Sequence, residues 1–249
     1  MYRILIAILL NCLLYSGSNL ANETEDTQRF IESNILGIFY HELGHAVIDL
    51  ERLPVLGQEE DAADVFSIFM IDALFDDESA ESLAYDASFG FWAEAEDRDT
   101  FAEEIAWWDV HGPDEQRYFN TVCVFYGADP ERRQQFADDL GLPEERAETC
   151  DFEYQQANES WGRVLDRLVS RGPGQTLRFQ SSQESIIAQT LAFEIQQLNA
   201  ELQLSQEIEV TVESCGEADA YYDPEDKEIV FCTEFEDHLK KLSTLLEDS

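Results

Sequence analysis

Residues 38–50, reading Ile-Phe-Tyr-His-Glu-Leu-Gly-His-Ala-Val-Ile-Asp-Leu, constrain this chain more than any other stretch. The pattern is that of a helix, and residues four apart on a helix share a face, so His41 and His45 can aim their ring nitrogens at one point. Glu42 lies beside that point without being forced to join the pair. Two imidazoles and a neighbouring carboxylate in this H-E-x-x-H spacing suit Zn²⁺, with Glu42 free to move protons as general base and acid. Leu43, Ala46, Val47 and Leu50 give the same helix an apolar face, which sets the histidines at the edge of a core. Two histidines on an ordinary helix are the plain alternative. It is weakened by economy, because the chain has only 4 histidines and two of them fall here.

A third ligand is needed, and the acidic run 58–64 opens a second strongly apolar segment, 65–71. Glu60 is the candidate. Three protein ligands leave a fourth position for water, whose pKa then falls to roughly 7. Asp64, one turn further on the same face, is spaced to accept the second ring N–H of a ligand histidine and so fix its tautomer. Small Ala62 and Ala63 allow the two helices to approach closely. Acids also favour the first turn of any helix, where the macrodipole rewards them. That accounts for acid here, though not for the Glu-to-Asp spacing. The link between the two helices is short, but residues 54–58 extended span roughly 16 Å, enough to bring the second helix back beside the histidines.

His-Glu-Leu-Gly-His followed by Glu-Asp-Ala-Ala-Asp resembles the gluzincin type of zinc peptidase. More narrowly, the chain resembles a bacterial family of metallopeptidases of unknown function. The likeness continues through 53–61, through Asp109-Val110-His111-Gly112-Pro113 and on to Tyr118, through 141–146, and through 215–224 with Cys232 downstream. The family pattern carries Asn where this chain has Asp219. The resemblance implies a zincin-like fold, Zn²⁺ on His41, His45 and Glu60, and a peptide or protein substrate. A third histidine, His111, stands near Arg117 and is a candidate donor to the oxyanion, the role a second imidazole or a Tyr plays in gluzincins. Its plain alternative is a surface or capping His before the helix expected at 114–126.

Residues 1–21 carry one early positive charge, Arg3, an apolar run from Ile4 to Leu14 broken only by Asn11, and then small polar residues. That reads as a signal peptide, cleaved after Ser18 or Ala21, rather than a spanning helix, which needs about 20 apolar residues. No transmembrane segment is expected after its removal. The protein is then periplasmic or secreted. Of the 5 cysteines, Cys12 falls in the signal, and Asn11 before it argues against lipid attachment. The remaining Cys123, Cys150, Cys215 and Cys232 suggest two bridges. Proximity favours Cys123 with Cys150 and Cys215 with Cys232, although three pairings satisfy the count. With 54 acids against 15 bases the net charge is −39. Such a chain repels phosphates and cannot be a nucleic-acid binder. The acids are spread along the sequence, as on a folded surface suited to a salty or acidic medium.

The order of elements gives the fold class. Helices are expected at 28–53, stopped by Pro54, and from the acidic run to 75. More follow at 78–85, 101–108, 114–126, 130–140 and 143–168. Ser170-Arg171-Gly172-Pro173-Gly174 is the clearest break. Beyond it come a strand at 176–180, a helix at 183–202, an alternating strand at 208–213, a hairpin at 220–232 and a closing helix at 237–246. The expectation is an α+β protein: a helical core at 22–170, and at 171–249 a helix with a small antiparallel sheet packing on that core. Because no strand precedes His41, the sheet must fold back from the far end of the chain. This order is circularly permuted relative to the usual helix, sheet, active helix. The expected function is an exported zinc-dependent peptidase. A catalytically inactive zinc-binding structural or interaction protein, using its acidic surface to hold a partner, is the alternative. Oligomeric state cannot be read from the sequence.

Overall fold

In the computed structural model the backbone is described for residues 2–101 and 103–248, and side chains for 25–101 and 103–246. The expected signal peptide lies outside the residues described with side chains. Helix α1 (Tyr2–Glu51) carries the H-E-x-x-H segment near its end. Its residues Ile31, Ile35, Phe39, Tyr40, Leu43 and Val47 point in several directions, yet all are buried. A helix apolar on more than one side must be covered on more than one side. The polar residues among them are satisfied: the Asn34 amide donates to the Phe30 and Asp86 carbonyls, and the Ser33 hydroxyl to the Asp86 carboxylate. The helix stops as expected before Pro54. Arg52 turns into the left-handed region (φ 53°), and the Leu53 N–H reaches back to the Ile48 carbonyl at 2.9 Å.

Helix α2 (Glu59–Leu74) lies along α1, and α3 (Asp77–Thr100) covers a second side, its N-terminus capped by Asp76. The expected helix at 78–85 is therefore only the first part of a longer one. Small residues Ala80, Ala84, Ala87, Gly90 and Ala93 let α3 stay close to its neighbours. The expected helix at 101–108 is absent among the described residues. Its aromatics had suggested a core, but Phe101, Trp107 and Trp108 are exposed, and a segment with no face to bury gains little from becoming helical.

Helix α4 (Asp114–Ala128) and the short α5 (Gln134–Asp139), smaller than the expected 130–140, precede α6 (Glu144–Ala157). A π-helical turn, Asn158–Gly162, joins α6 to α7 (Arg163–Ser170), so the expected long helix forms with one local widening. The Cys123–Cys150 disulfide ties α4 to α6. The two helices approach closely at Gly127, where a Cβ would fall 2.1 Å from the Cys150 carbonyl oxygen.

Four strands follow: β1 (Leu177–Ser181), then after helix α8 (Ile186–Glu201), β2 (Ile208–Glu213), β3 (Ala220–Asp223) and β4 (Glu228–Cys232). Their order in the sheet is β1-β2-β4-β3. The sheet is mixed, which corrects the expectation of an antiparallel one. β1 pairs parallel with β2, β2 parallel with β4, and only β3 and β4 antiparallel. The cause is the length of the connections. A tight turn forces an antiparallel neighbour, whereas α8 is a long crossover that returns the chain in the same direction. The second disulfide, Cys215–Cys232, ties β4 to the loop before β3, and α9 (Glu234–Asp248) closes the chain. Among the described residues no helix is long and apolar enough to cross a membrane.

The sheet does fold back onto α1. The Tyr222 hydroxyl of β3 donates to Asp49 at 2.7 Å, and the Lys227 ammonium pairs with the same carboxylate. On another side, the Tyr40 hydroxyl donates to the buried carboxylate of Glu194 on α8. Burial raises the Glu194 pKa above the usual carboxylate range. A carboxyl with a raised native pKa stabilises the fold fully below its unfolded pKa and loses that contribution as pH rises through the native value. The substitution Glu194→Gln keeps an acceptor for Tyr40 without the charge. It should raise the melting temperature at pH 8, and the gain should vanish near pH 4; thermal unfolding at the two pH values checks this.

Candidate metal centre

The last turns of α1 and the first turn of α2 meet where position 44 is glycine. A Cβ there would stand 3.2 Å from the Ala63 Cα and 3.1 Å from the Phe66 ring. This close approach carries the carboxylate of Glu60 to the two histidines. His41 Nε2 and His45 Nε2 lie 3.2 Å apart, and the Glu60 Oε2 is 3.2 Å from the first and 3.1 Å from the second. Donors held at about 2.0–2.1 Å from a tetrahedral zinc are themselves about 3.3 Å apart. The three atoms thus already have the spacing of one tetrahedral face, and two neutral-capable imidazoles with one carboxylate are donors that suit zinc. Among the described residues, no other group of His, Cys, Asp and Glu gathers in this way.

Each of the two histidines is held from behind. Asp64 Oδ1 is 2.7 Å from His41 Nδ1, and the Arg117 guanidinium of α4 grips both Asp64 oxygens at 2.8 Å while its plane rests over Phe91. His45 Nδ1 has its own carboxylate partner, Glu59 Oε1, at 2.9 Å. Asp64 was expected from the Glu-to-Asp spacing. Nothing in the sequence marks out Glu59, because an acid at a helix start already has a sufficient explanation, and Arg117 stands there only as a neighbour of His111. The signal for Arg117 was its rarity, a base within an acidic chain and one turn beyond Asp114 on α4.

The electrostatics follow from this crowd of carboxylates. Burial alone would lower the His41 pKa, but Asp64 and Glu60 outweigh it and raise it to about 9; Glu60 and Glu59 likewise raise His45 against burial. Asp64 is also buried, which would raise it, yet Arg117 and His41 hold it far below the usual range. Glu60 is pushed down as well, first by His111 and then by His41 and His45. Such a cluster favours added positive charge, and a divalent cation supplies it as well as protons do.

Glu42 takes no part in the ligand triangle. It is only 7% exposed, burial raises its pKa to about 7, and the backbone N–H of Tyr222 on β3 donates to it. His111 sits in the loop between α3 and α4, half exposed, with Nε2 2.9 Å from the same Glu60 oxygen. Neither Tyr221 nor Tyr222 lines the cleft. The Tyr222 hydroxyl is committed to Asp49 instead. The four cysteines of the two disulfides are distant in role and offer no donor here.

A family described as "Putative metallopeptidase" matches this chain over residues 9–165 and 174–248. No curated protein matches it, and no solved structure does.

Arg117 and Asp64 are both mostly buried, so removing one partner leaves a charge in the interior without compensation. Arg117→Met should cost about 3–5 kcal/mol and lower the melting temperature by more than roughly 6 °C. The larger Gly44→Val should instead act on geometry, separating Glu60 from the histidines and weakening zinc affinity in a chelator competition. A Gly44→Val protein with unchanged affinity would mean that the close helix contact does not position Glu60.

Proposed function

We propose that this chain, which belongs to that metallopeptidase family, is an exported zinc-dependent peptidase whose ion would be held by His41, His45 and Glu60. The observation that carries the reading is the triangle of His41 Nε2, His45 Nε2 and Glu60 Oε2 with edges of 3.1–3.2 Å. When bound, zinc supplies Lewis acidity that polarises a peptide carbonyl and acidifies water. The remaining chemistry belongs to the chain. Glu42, with a pKa near 7, accepts the proton of the attacking water and delivers it to the leaving amine. Asp64, braced by Arg117, holds His41 in the tautomer that presents Nε2, and Glu59 does the same for His45. His111 is the donor to the developing oxyanion, its Nε2 swinging from Glu60 toward the substrate.

β3 is one of the two edge strands of the sheet, and it is the one whose backbone meets Glu42 of α1 at Tyr222. An extended peptide can add to such an edge as one more strand. That supports a peptide or protein substrate. Two disulfides support an oxidising compartment and so export. The rival, a closed structural zinc site in a catalytically inactive protein, needs a fourth protein donor. Among the described residues no fourth donor atom lies within 4.8 Å of all three, although His111 Nε2 stands 2.9 Å from Glu60 Oε2.

Purified protein should bind one zinc per chain, and His41→Ala should bind it at least a hundredfold more weakly, read by metal analysis and chelator competition. Glu42→Gln should keep the zinc and lose roughly 10²–10⁴-fold in peptide hydrolysis. Zinc content indifferent to His41→Ala would overturn the site. Full activity in Glu42→Gln would overturn the assignment of the base.

A further inference from the structure

The cleft beside His41 and Glu42 continues inward as a cavity of about 260 Å³ between α1, α2, α3, α4 and α9. Ile38 of α1, Ile71 of α2 and Ala87 of α3 form near walls, and Phe235, Leu239 and Leu242 of α9 form another. Gly37 and Gly90 also line it, the place of a side chain at Gly90 being taken by the Asn34 amide, whose Oδ1 would stand 1.9 Å from a Cβ there.

The charged and amide side chains on its walls already have partners. Asn34 donates to the Phe30 and Asp86 carbonyls, Asp64 holds Arg117, Glu94 holds His238, and Asp114 holds Arg98. Near the motif, the Glu42 carboxylate accepts from the Tyr222 N–H, and Asp219 accepts from the Ala220 N–H. The Ser67 hydroxyl is likewise spent on the Gly37 carbonyl. What such walls offer a visitor is apolar surface and shape. A dry apolar cavity of about 150 Å³ is enough to bind benzene. This one accommodates a phenyl, indole or leucyl group.

We propose that this cavity receives a large apolar side chain of the substrate, Leu, Met or Phe, on the residue adjoining the scissile bond; the proposal rests on the metallopeptidase reading. A side chain seated there leaves its own backbone at Glu42 and His41, which share the cavity lining. Acidic side chains are disfavoured by the carboxylates that line the cavity, Glu42, Glu94, Asp114 and Asp219 among them. The C-terminal helix α9 thereby becomes part of the specificity of a motif carried on α1.

Two measurements on the full-length protein test this. Indole, titrated calorimetrically or by NMR, should bind wild type at one site. It should bind at least tenfold more weakly to Ala87→Leu, which fills the cavity, and no more weakly to Leu242→Ala, which enlarges it. A peptide library should be cut at least tenfold more efficiently with Leu, Met or Phe than with Ala or Asp at one flanking position. Ala87→Leu should shift that preference toward Ala, and Leu242→Ala toward Phe and Trp. Circular dichroism identifies any variant that has not folded, and the other variant then decides. Absence of indole binding, or binding indifferent to the folded variants, overturns the proposal. Hydrolysis with no preference or a polar preference at both flanking positions overturns it while leaving the peptidase reading intact. Indole binding that obeys the variants in a protein that cuts no peptide supports the apolar receptor and defeats the peptidase reading instead.

Discussion

Glu60 reaches both histidines because nothing larger than hydrogen stands at position 44. The α1–α2 contact at Gly44 and Ala63 brings two backbones together, and the ligand triangle is its consequence, since Glu60 sits one turn before Ala63 on the same helix. With the helices in contact, the histidine spacing of one and the Glu-to-Asp spacing of the other fall into register. Glu60 meets the Nε2 atoms while Asp64 meets His41 from behind. A side chain at 44 would move Glu60 and Asp64 together. The geometry of the His41–His45–Glu60 triangle and the bracing behind it are thus one mechanical unit rather than two independent features.

That unit explains how much was legible in the sequence. The histidines, Glu42, Glu60 and Asp64 are local patterns on two helices joined by a short link, so periodicity alone brings them together. Both disulfides follow from proximity in sequence, and helices α2, α4 and α8 form close to where periodicity puts them. What was not legible depends on partners far away in the chain. The aromatics at 101–108 look like core residues until it is known that no element covers them. The parallel pairing of β1 with β2 follows from where α8 lands, which no strand pattern encodes. Arg117 becomes a brace only once α4 is laid against α2.

The same dependence on distant contacts governs the sheet. The strand β3 touches the motif helix through Asp49 and Glu42, so the helix that carries the H-E-x-x-H segment borrows its sheet from the far end of the chain. The centre thus has two structural supports of different range: α2, adjacent in sequence, and the sheet, whose contact is costly in loop closure. The disulfide between Cys215 and Cys232 holds the loop before β3 against β4 and so narrows the search for that contact.

Charge decides where the few bases go. With 15 bases against 54 acids, most carboxylates must remain solvated and mutually repulsive. Some bases pair locally, as Arg146 does with Glu153 and Lys240 with Glu236, but several pair where elements distant in sequence meet. Arg117 joins α4 to α2, Arg133 joins the turn before α5 to Asp72, Arg171 joins the end of α7 to Glu51 of α1, and Lys227 joins the hairpin to Asp49. Arg98 holds the end of α3 to the start of α4, across the base of the loop that carries His111. A pair exposed to solvent contributes little to stability, but a partly buried pair at a joint fixes which surfaces meet. In so acidic a chain each such base has many carboxylates within reach, and the ones selected are those that hold α2, α4, the sheet and the His111 loop around the end of α1. Repulsion on the outer surface yields to salt, whereas the buried joints are screened far less. The buried Arg117–Asp64 joint behind His41 is therefore less sensitive to salt than the acidic surface around it.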